Sequence, residues 1–306
     1  MLYKKMLIFA LLILLVAGTG CQQSHYTEKI SNKIADKNKP QRIISLNISS
    51  DEILLDLVDS ERIIALSNNS EDEQISSVVA KAKVVKTKLS LRTNIEKIYA
   101  LRPDLVFVPE AGPPEIAKSL SELGIKVHIV KSATNIYDIE SKIKDIAMAV
   151  GETEKGQKLI AEMENNLMKV TAKTQNIIHK KTVIAFTYGG AYGVKDGLFD
   201  NICNYAGVIN GASKVGLKKG EKLSKENIIE INPDIFLLPT WSHNPNNDAQ
   251  VLKQEILHDS AYSKLKAIEN NSIYFMPDKY RSCSSQYIAK GVYKMAQIAY
   301  PEMFSD

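Results

Sequence analysis

Cysteine and tryptophan are scarce in this 306-residue chain, at three and one, and its five histidines stand singly. No CxxC pair and no close Cys/His or His/His spacing occurs, so the zinc-site motifs are missing. HExxH and GxSxG are missing too, which removes the signatures of the zinc proteases and of the nucleophile-elbow hydrolases. The glycine-rich stretch Tyr188-Gly189-Gly190-Ala191-Tyr192-Gly193 has neither dinucleotide nor P-loop spacing, and reads as a loop that approaches a ligand or another loop closely. Charge of one sign is also missing. The formal net charge is +4, and it falls to +2 without Lys4 and Lys5, which leaves no electrostatic footprint for nucleic acid. Low-complexity tracts are absent, and 44% hydrophobic with 24% charged residues is ordinary globular composition with room for two cores.

One long apolar run is present, Met6 to Ala17, and it is shorter than the roughly 20 residues that cross a bilayer. Behind Lys4 and Lys5, and before Gly18-Thr19-Gly20-Cys21, it reads as an export signal over residues 1–20. Small residues immediately before a cysteine resemble the bacterial lipobox, although Gly18 stands where that motif usually has leucine. Cys21 is then expected to carry a lipid, and the polar Lys/Asn-rich residues 21–40 to tether a folded body to the membrane. Cys203 and Cys283 are read as two thiols, with a disulfide left open.

The body is organised by a repeat. EKIYALRPDLVFVP (96–109) returns as ENIIEINPDIFLLP (226–239), 130 residues later, with five of fourteen positions identical. Both copies read as a short helix, a Pro-Asp turn and a buried strand, and each follows a helix cap, Asn94 or Ser224. A unit this long indicates two lobes on one plan rather than a solenoid. The fold class expected is α/β: two Rossmann-like lobes with parallel-rich sheets, at 41–150 and 179–306, joined by one long rigid helix within 151–178, from Thr153 to about Ile177.

In the first lobe the expected strands are 42–46, 63–66, 83–85, 105–108 and 126–130, with Ser50 capping the first helix. In the second they are 182–187, 235–238 and 273–276, with helices at 198–206 and from about Ser284 to Tyr300. Ligands of parallel sheets sit beyond the carboxyl ends of the strands. That makes Asn47, Ser49, Asn68, Asn69, Glu110 and Gly112 candidates on one side. On the other, Tyr188, Tyr192, Trp241 and Tyr280 could stack on a planar or cyclic ligand, Arg281 could pair with its carboxylate or catecholate groups, and His243 is the one histidine placed to meet a ligand or a metal. Glu96 and Glu226, in equivalent first turns, suit the helix macrodipole and also suit docking onto arginines of a partner.

RIISLNISSDEILLDLVDSERIIALS, NIEKIYALRPDLVFV, ELGIKVHIV, the long inter-lobe helix and SKENIIEINPDIFLL together resemble the ABC-importer substrate-binding proteins that carry iron-siderophores, haem and cobalamin. The resemblance runs from Arg42 to Phe304. It implies a ligand cleft between the lobes and delivery to a permease whose arginines receive Glu96 and Glu226. Haem would depend on His243 or a second-lobe tyrosine, and the stretch Lys88 to Leu91 lacks the aromatic wall of cobalamin binders. The expectation is therefore an extracytoplasmic lipoprotein for an iron-siderophore or similar metal chelate, anchored to the cell membrane through Cys21. Corrinoid and haem are the alternatives, with an exported enzyme further off. It is expected to act as a monomer with no resident cofactor, no catalysis and no nucleic-acid partner.

Overall fold

The computed structural model describes residues 39–218, 220–242 and 244–304. Residues Gln41 onward form one compact unit. Five short apolar strands, β1 (Ile43–Ser45), β2 (Ile63–Ser67), β3 (Lys88–Leu89), β4 (Leu105–Pro109) and β5 (Lys126–Val130), make the first sheet in the order β3-β2-β1-β4-β5. Every pairing in it is parallel. Parallel strands need a crossover each. The crossovers include the helices α1 (Ile48–Leu57), α2 (Val79–Ala82), α3 (Ile95–Ala100) and α4 (Pro114–Glu122).

Two helices then leave the first lobe, α5 (Ile136–Ala149) and α6 (Thr153–Thr174). At 1.5 Å per residue the 22-residue α6 is about 33 Å long. The two cross closely at Gly156, where a Cβ would come within 2.4 Å of the Ala147 Cβ. The second sheet runs β10 (Ile273–Phe275), β9 (Ile235–Leu238), β6 (Thr182–Thr187), β7 (Gly190–Tyr192), with β8 (Ile209–Asn210) also on β6. The glycine-rich stretch forms the tight antiparallel return from β6 to β7. Helices α7 (Leu198–Tyr205), α8 (Lys225–Ile231), α9 (Ala249–His258), α10 (Lys266–Glu269), α11 (Asp278–Arg281) and α12 (Ile288–Ala299) complete this lobe.

The largest apolar cluster crosses the lobe boundary. It joins Ile53 and Leu57 of α1, Ile143 of α5, Leu167 of α6 and Met295 of α12, while each lobe keeps a smaller cluster of its own. A shared core makes the junction stiff, because close-packed side chains do not slide freely.

The repeat behaves as the pattern predicts. Asn94 caps α3 by accepting from the Glu96 amide, and Ser224 caps α8 in a reciprocal capping box with Asn227. Four expectations need correction. Lys83–Val85 is not a strand: Val84 is largely exposed, and the pairing segment is the two-residue β3. Asn47, rather than Ser50, caps α1, its side chain accepting from the amides of Ser49 and Ser50. The long helix ends at Thr174 rather than near Ile177. Finally, α12 starts at Ile288, because the preceding serine and glutamine side chains are committed to the other lobe. Both described cysteines are free, buried thiols.

Candidate ligand-binding site

In a parallel sheet the helix before a strand begins at the sheet's carboxyl edge, so the loops after the strands and the N-termini of α3 and α8 share one end of each lobe. At that end of the first lobe a cavity of about 750 Å³ opens, lined by Leu46, Asn47, Asn68, Asn69, Arg92 and Pro109 among others. A second cavity of about 240 Å³ shares Ile48 and Asn69 with it and is closed by the other lobe, through Trp241, Lys279 and Ser284. Together they make a cleft whose walls carry hydroxyl, amide, ammonium and guanidinium groups, a single indole, the Cys283 thiol and the carboxyl groups of Glu52 and Asp278.

The lobes are hydrogen-bonded across this cleft. Trp241 Nε1 donates to Asp72 Oδ2 at 2.8 Å, Thr240 Oγ1 to Gln74 Oε1 at 2.5 Å, and the Lys279 amide to the Gln74 carbonyl at 3.0 Å. Beneath the smaller cavity lies a buried polar seam. Ser285 Oγ donates to Glu52, Gln286 Nε2 donates to the Glu52 carbonyl at 2.9 Å and to Asp56 at 2.8 Å, and Tyr287 OH donates to Asp56 at 2.8 Å. Lys142 of α5 closes the seam, donating to Ser49 Oγ at 3.3 Å and to the Ser284 carbonyl at 3.1 Å. Burial pushes Glu52 above the usual carboxylate range and brings the Lys142 ammonium down to about 8.

Beside Glu52, burial raises Asp51 to about 7, against the opposing hydrogen bonds from Ser45 and Ser67. A carboxyl whose folded pKa lies above its unfolded value binds its proton more tightly in the folded state. Its contribution is therefore full below about pH 4 and is lost as pH rises through about 7. Asp51→Asn is accordingly expected to gain stability relative to the native chain at pH 8 by about 1 kcal/mol or more, and to gain little at pH 4. Urea unfolding at the two pH values measures this; an equal effect at both removes the titration of Asp51 as its cause.

The structure brings together only part of the expected set. Asn47 and Asn68 line the larger cavity, and Ser49 and Trp241 line the smaller one. Glu110 lines neither cavity; it is exposed, and its carboxylate accepts from the Ser132 amide at 3.0 Å. Tyr192 packs on Phe199 with the Arg281 guanidinium 5.7 Å from its ring centroid. Arg281 is 3% exposed: Nη1 donates to the Phe186 carbonyl at 2.6 Å and Nε to Asp278 at 3.0 Å. Tyr188 is half-buried and Tyr280 lies beneath Lys279, and neither lines the cleft cavities. His243, Cys21 and the leader fall outside the described residues. Glu96 and Glu226 are exposed in the first turns of α3 and α8. The helix-terminal amide and Ser224 hold Glu226 below the usual carboxylate range, so it is ionised. Among the described residues no group of three or more His, Cys, Asp or Glu could hold a metal.

Sequence reasoning missed Arg92, Lys279, Glu52 and Lys142. Glu52 stands beside Asp51 on α1, where the sequence reads as charged and solvated. No local pattern marks Lys279, whose position depends on a contact with Gln74 some 200 residues earlier.

A family model described as periplasmic binding protein matches residues 43–280. The uncharacterized ABC transporter substrate-binding lipoprotein YvrC of Bacillus subtilis (strain 168) is 24% identical over 284 residues, 88% of this chain and 83% of that one. The molybdate-binding protein MolA of Haemophilus influenzae is 22% identical over 99% of this chain and 92% of its own. A crystal structure of a possible iron-binding (periplasmic solute-binding) protein from Staphylococcus epidermidis ATCC 12228 superposes with a TM-score of 0.74 at 24% identity, covering 86% of this chain and all of that one. Two parallel-rich lobes, a single long joining helix and a cleft at the strand ends agree with that match, and the chain belongs to the periplasmic binding protein family.

Proposed function

We propose that this protein captures a ferric siderophore or a similar pre-formed metal chelate between its lobes and hands it to an ABC importer. The cleft lining carries this reading: Ser, Asn, Arg92, Lys279 and Trp241 are groups that bind the outside of a complex whose metal is already saturated by its own chelator, while the two carboxyl groups of the smaller cavity, Glu52 and Asp278, are engaged by Ser285 and Arg281. The cations suit anionic chelate oxygens, and the indole suits a flat ligand face. The relative named for molybdate makes a bare oxyanion the second reading, and the 240 Å³ cavity beside Lys279 is of a size for one.

Because Trp241 is the one tryptophan of the chain and lines the cleft, its emission reports on occupancy. Titration with ferric hydroxamates, ferric catecholates, haem, cobalamin and molybdate is expected to give saturable quenching with a ferric chelate and none with haem. Saturation by molybdate alone would transfer the assignment to the oxyanion. Silence across the whole panel would reject import of this ligand class.

Docking is assigned to Glu96 and Glu226. The pair Glu96→Ala with Glu226→Ala is expected to leave ligand affinity unchanged and to lower uptake about tenfold, since charge pairs at such contacts set orientation and encounter. Uptake at the native rate would remove these two residues from the docking surface. Anchoring through a lipid on Cys21 completes the proposal, and incorporation of labelled palmitate that is lost in Cys21→Ala tests it.

A further inference from the structure

A third cavity, of about 610 Å³, shares no lining residue with the ligand cleft. It is a groove between the C-terminal half of α6 and the start of α12, floored by Val170, Ala289, Tyr293 and Phe304. Its rim is cationic from both sides, with Lys169 and Lys173 on α6 and Lys290 on α12, and there is no carboxylate among its described lining residues. Lys173 lies 4.9 Å from the Phe304 ring centroid and Lys290 4.5 Å from that of Tyr287, so each ammonium stands at the edge of apolar surface. All three lysines are exposed, Lys173 also donating to the Met303 carbonyl at 3.3 Å, so their stems add apolar area beside heads that solvent or a headgroup can reach, as long cationic side chains do at a lipid interface.

We infer that this groove is a docking site for anionic phospholipid, by which the undocked protein lies on the membrane surface. Charge complementarity selects the occupant. An apolar trough ringed by three ammonium groups matches an acyl chain below a phosphate headgroup, and the same lysines would repel the cationic tether of residues 21–40. A lipid on Cys21, as proposed above, would hold the body close to the lipid surface. Even a weak site is then filled, because the effective concentration is high. The inference does not depend on which ligand fills the cleft.

The test is sedimentation of the chain from residue 22 onward, which carries the whole compact unit, with vesicles of phosphatidylcholine alone or with 30% phosphatidylglycerol. Binding is expected only with phosphatidylglycerol, weakening as salt rises. Each lysine near an anionic surface contributes roughly fivefold. Lys169→Gln, Lys173→Gln and Lys290→Gln together are therefore expected to weaken partition by about 100-fold. The control triple Lys83→Gln, Lys126→Gln and Lys144→Gln, on the first lobe, is expected to change it less than about threefold. Equal losses in both triples would mean non-specific attraction of a basic protein and would overturn the site, as would partition that ignores phosphatidylglycerol. Circular dichroism and Trp241 titration confirm that each triple is folded and still binds in its cleft, so failure here leaves the transport reading standing.

Discussion

Arg281→Ala is expected to lower the unfolding free energy by about 3–5 kcal/mol, because it removes one partner from a buried ionic contact and leaves the others uncompensated. The guanidinium holds the Phe186 carbonyl at the end of β6 and the Asp278 carboxylate in the first turn of α11, and it covers the Tyr192 ring. One oxygen of Asp278 already has no partner among the described residues. In a chain of this size the loss corresponds to a fall of roughly 10 °C in Tm. Arg281→Lys is expected to recover little, since an ammonium cannot span two acceptors set apart by a planar fork. Thermal and urea unfolding of both variants decide it: a change below about 1 kcal/mol for alanine would show that Arg281 is not the clamp between β6 and α11.

Gly291→Ala is expected to cost about 3 kcal/mol or more, against the preference of roughly 1 kcal/mol that a helix interior ordinarily has for alanine over glycine. The reason is distance. A Cβ on Gly291 of α12 would stand 2.0 Å from the carbonyl oxygen of Tyr280 in α11, and backbone cannot rotate aside as a side chain does. Relief requires α11 to move, and α11 carries Lys279, whose amide holds Gln74 of the first lobe. Cleft affinity should therefore fall with stability. A variant as stable as the native chain would refute the close contact, whereas one that is destabilised but binds normally would detach α11 from the ligand.

The architecture was legible because the repeat is a local pattern: caps at Asn94 and Ser224, Pro-Asp turns and apolar strands all lie within a dozen residues of one another. The strand β3 was not, since two residues carry no periodicity, and the nearby Val84 offered a false signal. Within the candidate site, only some of the loops after strands reach the cavities. Asn47, Asn68, Ser49 and Trp241 line the cleft, while Arg281 turns inward because a carbonyl and a carboxylate wait there, which its sequence neighbours do not announce. Charged residues on α1 were the hardest to read. Asp51, Glu52 and Asp56 look like a solvated face, but Asp51 is buried against Ser67 within the first lobe, and Glu52 and Asp56 are met by Ser285 and Tyr287 of the second lobe.

That meeting has a kinetic consequence. With Trp241 held by Asp72, Thr240 held by Gln74, and Ser285, Gln286 and Tyr287 bonded to the first lobe beneath them, the receptor is preorganised, and little conformational freedom is left to lose on capture. Association should therefore follow a single concentration-linear phase near 10⁶ M⁻¹s⁻¹, in the ordinary range for a binding surface that needs no rearrangement, with no slow isomerisation behind it. Discrimination among ligands would then reside in their residence times, and the permease would shorten those times by pulling the Asp72 and Gln74 contacts apart, so that the importer's grip rather than the ligand opens the lobes.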